Sequence, residues 1–210
     1  MKIRNQQPAD KAERSNADAS PVECRGGIVH GLRALAIVAS VVAPACGDDP
    51  FTVTWTENPD TVQLYAISRP ELNLFSAFDF YTRIPKRLES ASTGDLWDLV
   101  TDVRDGQFVW LPAGALGITS EAAVATVEGE TFESAARAPS DTARYVDDEP
   151  VPVRTDRIYV IRTRRVRGSF STCNHYGKIE ALETDPVAGT IRFRFDVNRI
   201  CNDLALIPPD

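Results

Sequence analysis

The chain has 210 residues, a formal net charge of −7 at pH 7, 43% hydrophobic residues and 25% charged residues. This length and composition are typical of a single globular domain with a tail. The acidic balance argues against a nucleic-acid partner, because proteins that bind nucleic acids present a basic surface to the phosphates.

An apolar run over residues 34–43, interrupted only by Ser40, follows a short basic stretch. A membrane-spanning helix needs roughly 20 apolar residues, about twice the length of this run. The following Ala43-Pro44-Ala45 has the A-x-A form of a signal-peptide cleavage site. We therefore predict that residues 1–45 contain a signal peptide. Cys46 is then the lipidated first residue of an exported protein.

Two alternatives to this interpretation stay open. Lipoprotein signals usually place Leu three residues before the cysteine, where this chain has Ala43. Cleavage without lipidation, or a buried core segment in place of a signal, is therefore also compatible with the run. Residues 1–24 are polar and lack periodicity, which suggests a start codon assigned too far upstream. A disordered tail is the alternative for this segment.

Residues 46–50 are predicted to form a short tether, and residues 51–210 an all-β domain. Apolar residues and Thr alternate over 51–56, and another apolar segment follows at 62–67, so we predict a hairpin over residues 51–67. Further strands are predicted, in chain order, at 76–81, 96–103, 108–111, 156–163, 176–183 and 191–197.

The turns between these strands have recognisable sequences. Asp105-Gly106 is the strongest hairpin signal in the chain, and Asp185 to Gly189 forms a second turn signal. In the strand at 191–197, side chains alternate in character, as expected where successive residues point to opposite faces of a sheet. The residues predicted to point inward are Ile191, Phe193, Phe195 and Val197, and those predicted to point outward are Arg192, Arg194 and Asp196.

The middle of the chain is less regular. Residues 121–127 and 132–137 have helix-forming composition but span two turns or less, and residues 138–153 contain three prolines and are interpreted as a long surface loop. The basic segment 164–168 is interpreted as a solvated loop, with an anion or lipid-headgroup site as the alternative. About eight short strands with short helical turns predict an all-β antiparallel sandwich or open barrel.

Cysteine usage supports export. With Cys24 in the leader and Cys46 as the anchor, Cys173 and Cys201 form an even pair, and we predict a disulfide between them. Two alternatives exist for Cys173, because it lies two residues from His175 and could share a strand face with it. The pair could act as nucleophile and base, or as metal ligands, although a closed zinc site requires four.

No motif identifies a catalytic chemistry. Dinucleotide-binding, P-loop, zinc-protease and serine-hydrolase motifs are absent from the sequence, so we predict a non-catalytic protein without a metal site. A glycan hydrolase with two paired carboxylates is the enzymatic alternative. His175 is the candidate ligand-binding residue. Trp55, Trp97 and Trp110 are interpreted as core residues, with a sugar or haem cleft as the alternative.

Five short segments occur in an order that resembles the HmuY-type family of haem-binding lipoproteins. They are SAFDF at 76–80, LWDL at 96–99, YVIRT at 159–163, YGKI at 176–179 and GTIRFRF at 189–195. The resemblance implies an exported, lipid-anchored, all-β protein and haem as a cofactor. Haem-binding members supply axial His or Met ligands, whereas His175 is the sole residue of either type after Cys46.

Together these features predict a lipoprotein anchored through Cys46 to the outer membrane or cell surface. Gly47 stands where a simple inner-membrane retention signal has Asp, which favours the outer membrane. The domain is expected to bind haem or another hydrophobic ligand without catalysis. A module that binds an envelope protein or acts in adhesion, with no small-molecule ligand, is the alternative.

Overall fold

A computed structural model of the chain describes residues 54–71, 73–89, 94–167 and 172–209. The predicted leader, Cys46 and the tether lie outside these residues. None of the described segments forms a helix with the length and hydrophobicity needed to cross a membrane. The described strands are β1 Asp60–Tyr65, β2 Ala77–Asp79, β3 Ile84–Lys86, β4 Leu99–Arg104, β5 Gln107–Pro112, β6 Ala123–Val127, β7 Val151–Pro152, β8 Ile158–Arg162, β9 Val166–Arg167, β10 Thr172–Cys173, β11 Tyr176–Asp185 and β12 Thr190–Asn198.

Ten of these strands form two five-stranded sheets. The first sheet has the order β1-β12-β11-β8-β6, and the second has the order β3-β2-β4-β5-β7. Strands β9 and β10 pair separately. Every neighbouring pair is antiparallel. The prediction of an all-β antiparallel fold is confirmed. The sequence left a sandwich and an open barrel as alternatives, and the two open sheets show that the fold is a sandwich.

Aromatic side chains fill the space between the two sheets. The ring of Phe78 from β2 lies 5.8 Å from that of Phe193 and 4.8 Å from that of Phe195, both on β12. The Trp110 ring from β5 contacts Phe193 at 5.2 Å between centroids. All of these contacts are edge-to-face, a geometry that adds about 0.5–1.5 kcal/mol per pair to the burial itself. The alternation predicted for residues 191–197 therefore places its apolar members in the core, as expected.

The hairpin prediction at Asp105-Gly106 is confirmed. These two residues join β4 to β5 with φ values of 52° and 77°. Positive φ at both central residues matches the twist of the flanking strands, and Asp-Gly adopts this conformation at low cost.

Residues 121–127 have helix-forming composition, but residues 123–127 form strand β6 instead. Its Val124 side chain points into the space between the sheets, whereas Ala123 and Ala125 point to the opposite face. Backbone pairing with β8 fixes this alternation. Small residues suit the outer face because Phe132 and Tyr145 pack against it. Packing on both faces thus overrides the local preference for helix.

Residues 132–137 also contain no helix. The prediction of a long surface loop over residues 138–153 holds for most of the segment, whose residues are largely exposed and outside regular strands, but not for all of it. Ala138, Tyr145 and Val153 are buried, and β7 pairs with β5. The outer face of the first sheet is apolar, so the chain folds back over it and buries that surface. The short helical turns of the described residues lie at Ala113–Leu116 and Thr142–Arg144.

The predicted hairpin over residues 51–67 is not formed by the residues described, because residues 54–59 are not in a strand. Strand β1 pairs with β12 instead. Asp196, predicted to point to solvent, is only 2% exposed. It accepts a hydrogen bond from the Asn58 amide at 3.0 Å and forms an ion pair with Arg83 at 3.3 Å. The segment before β1 therefore covers the end of β12 and buries this carboxylate.

Candidate functional site

The predicted disulfide is confirmed. Cys173 and Cys201 are bonded, with 5.6 Å between their Cα atoms. The bond links the chain just before β11 to the chain just after β12, and these two strands are direct neighbours in the first sheet. In this form residue 173 carries no thiolate, so it cannot serve as a nucleophile or as a metal ligand.

His175 lies beside this disulfide in an enclosed position. Its Nε2 atom is 3.8 Å from the Cys173 sulfur, and its ring packs against the tilted ring of Tyr81 with 4.7 Å between centroids. The residue is 5% exposed, and burial lowers the pKa of its imidazole. A haem iron would therefore have to reach a side chain that is closed off from solvent.

After Cys46 the chain does not supply two axial haem ligands of the His or Met type. The chain has two histidines and one methionine, and both His30 and Met1 belong to the predicted leader. Among the described residues, no group of three or more His, Cys, Asp or Glu is arranged to hold a metal ion.

A buried ionic cluster of Asp79, Asp98 and Arg164 joins the two sheets. The Arg164 guanidinium contacts Asp79 and Asp98 at 3.1 Å each. Asp98 also accepts backbone hydrogen bonds from Phe80 and Arg164, both at 2.8 Å. Burial raises the pKa of the Asp98 carboxyl to about 6, although Arg164 and the backbone amides oppose this shift. Arg164 is thus fixed by the cluster, and Val166–Arg167 form β9, which pairs with β10. The interpretation of residues 164–168 as a solvated loop is therefore wrong at these positions.

The sequence contains one indication of this cluster, namely two acidic residues within apolar segments, but local sequence does not show which residue pairs with them. Asp79 and Asp98 both stand inside apolar strand-like segments, where an acidic residue is costly to bury unless it is paired. The two carboxylates are 1% and 0% exposed. They are therefore inaccessible to a substrate, unlike the two carboxylates that flank the scissile bond in a glycosidase.

A cleft of about 330 Å³ opens beside Arg164. We call it the Trp97 cleft. Its apolar wall is formed by Trp97, Ala113 and Ile118, and its polar lining comes from Asp95, Thr119, Ser120, Glu121, Arg164 and Arg165. Trp97 itself is buried and donates a hydrogen bond from Nε1 to the Gly94 carbonyl at 3.1 Å. Trp110 is buried between the sheets, and Trp55 is half-buried.

A second cleft of about 270 Å³ shares one wall with the first. We call it the Asp147 cleft. Residues 118–120 line both clefts, and the far side of the second is formed by Gly114, Gly117, Asp147 and Asp148. The two clefts are therefore adjacent on the surface, and His175 lines neither of them.

Comparison with protein-family models finds no family that matches this chain, and a search of curated proteins finds no match. The fold, the filled core and the two clefts are therefore the basis for a functional assignment.

Proposed function

We propose that this chain is a lipid-anchored protein of the bacterial cell envelope whose β-sandwich binds another protein without catalysing a reaction. The observation that carries this proposal is the aromatic filling of the space between the sheets. The apolar run before Cys46 supports export and anchoring. The Cys173–Cys201 disulfide supports an oxidising compartment.

The filled core favours a protein partner over a hydrophobic ligand held inside the fold. A ligand between the sheets would have to displace rings such as Phe78 and Phe193, and removing a buried Phe side chain costs about 3–5 kcal/mol. Surface clefts of the described residues have volumes of about 270–450 Å³, which lie in or below the lower half of the roughly 300–1,000 Å³ range of small-molecule sites.

Two measurements on the full chain, expressed in a bacterial host that processes lipoproteins, test the proposal. Mass spectrometry of the membrane-bound product is expected to find a mature chain that begins at an acylated Cys46, and the Cys46→Ser variant is expected to leave the membrane fraction. Cross-linking in intact cells followed by affinity purification is expected to yield a partner protein in stoichiometric amount.

Haemin titration provides the contrasting result. We expect no saturable shift of the Soret band, because His175 is buried and packed against Tyr81. The absence of any stoichiometric protein partner would refute protein binding, and saturable haemin binding would then support the ligand-binding alternative.

A further inference from the structure

The Trp97 cleft and the Asp147 cleft are neighbouring depressions that both border residues 118–120. We call the two together the candidate groove, because a single extended segment that crosses these residues would contact both. Ile118 is the half-buried apolar residue of its lining, whereas Trp97 and Ala113 are buried and expose little surface. The groove therefore offers a small apolar contact beside its polar lining.

The acidic side of the groove is held in a fixed position. Val146, which directly precedes Asp147, exchanges two backbone hydrogen bonds of 2.9 Å each with Val124 of β6. These bonds attach the chain before Asp147 to β6. The Asp147 backbone also packs directly against Gly114, because a Cβ atom built on this glycine would lie 2.3 Å from the Asp147 carbonyl oxygen. A site with fixed geometry loses little conformational entropy when it binds a partner.

Carboxylates dominate the rim of the groove. Asp95, Glu121, Asp147 and Asp148 are all exposed. The charge of Arg164 is balanced by Asp79 and Asp98 in the buried cluster. The other cation among the lining residues is Arg165, which lies 3.7 Å from Glu121 and donates a hydrogen bond to the Thr172 carbonyl. Arg162, outside the lining, donates a hydrogen bond to the Glu121 carbonyl at 2.8 Å. The groove therefore carries an excess of negative charge, which disfavours an anion or a lipid headgroup at residues 164–167.

We propose that the groove binds a basic segment of the partner protein, in which Lys or Arg residues meet the rim carboxylates and an apolar side chain meets the wall at Ile118. Complementary charge gives such a contact its specificity and its speed of association. This inference rests on the proposed protein-binding function and adds the chemistry of the partner and the surface that it contacts.

The test uses the full chain and three labelled hexapeptides, with binding measured by fluorescence anisotropy. One peptide alternates Lys and Leu, the second Lys and Ser, and the third Glu and Leu. We expect saturable binding of the Lys-Leu peptide that weakens as salt is added, weaker binding of the Lys-Ser peptide, and no binding of the Glu-Leu peptide. Equal binding of all three peptides would overturn the inference.

Matched variants locate the site. Asp147→Asn with Asp148→Asn is expected to weaken Lys-Leu binding by about tenfold, as is Asp95→Asn with Glu121→Gln. The control, Glu130→Gln with Glu183→Gln, removes two exposed carboxylates elsewhere on the surface and is expected to stay within about twofold of the wild type. An equal effect of the control and of both groove pairs would overturn the inference.

Partner capture from intact cells separates this inference from the proposed function. If the groove variants lose the partner and the control keeps it, the inference is supported. If all variants keep the partner, the groove is not its binding site, although the proposed function stands. If the wild type captures no partner, the proposed function fails, and the inference fails with it.

Discussion

Replacing Asp98 with Asn tests the buried ionic cluster through the pH dependence of stability. Burial raises the pKa of this carboxyl from 3.8 to about 6 in the folded chain. Between these values the folded chain holds a proton on Asp98 that the unfolded chain has lost. Raising the pH through this window therefore lowers the free energy of unfolding of the wild type. The Asn variant has no proton to exchange at this position.

The magnitude follows from the width of the window. From pH 4.5 to about 6 the folded chain retains this proton over about 1.5 pH units, and each unit corresponds to about 1.4 kcal/mol. The free energy of unfolding of the wild type relative to Asp98→Asn is therefore expected to fall by about 2 kcal/mol between pH 4.5 and pH 7.5.

Urea denaturation of the wild type and of Asp98→Asn at a series of pH values measures this difference, and other titrating groups largely cancel in the comparison. Glu130→Gln, at an exposed position, serves as the control and is expected to follow the wild-type profile. A difference that grows as the pH rises would refute the reasoning, because it would mean that attraction to Arg164 outweighs the burial of the carboxylate.

The remaining predictions concern packing and the disulfide. Replacing Cys173 and Cys201 with Ser is expected to lower the free energy of unfolding by about 3.5 kcal/mol, since the bond closes a loop across a sequence separation of 28; unchanged urea denaturation would contradict this. Phe193→Ala is expected to cost about 3–5 kcal/mol by leaving a cavity between the sheets, and a loss below about 1 kcal/mol would show that the core is loosely packed. Gly114→Ala is expected to cost about 1–3 kcal/mol, because its Cβ would clash with the Asp147 carbonyl oxygen. It should also weaken binding of the Lys-Leu peptide, and a variant with wild-type melting temperature and affinity would contradict both expectations.

Local sequence patterns determined several strands and the disulfide. The alternation over residues 191–197 identified β12 because one side of each pleat must be apolar where a sheet packs on a core. Asp105-Gly106 identified the β4–β5 hairpin because few residue pairs accept positive φ at both positions. Counting cysteines identified the pair Cys173 and Cys201 once Cys24 of the predicted leader and Cys46, the predicted anchor, were set aside. Each of these signals lies within a short segment or follows from a simple count.

Contacts between distant segments decided the rest. Residues 121–127 became β6 because both faces of that strand are covered by other parts of the chain. Arg164 lies 85 residues from Asp79 and 66 residues from Asp98, so no local pattern could predict the buried cluster that they form. The two clefts likewise combine side chains from well-separated segments. Alternation of apolar and polar residues specifies which side chains share a face of a strand, and a turn sequence specifies where two strands are joined. Burial and charge pairing depend instead on which distant segments the folded chain brings together.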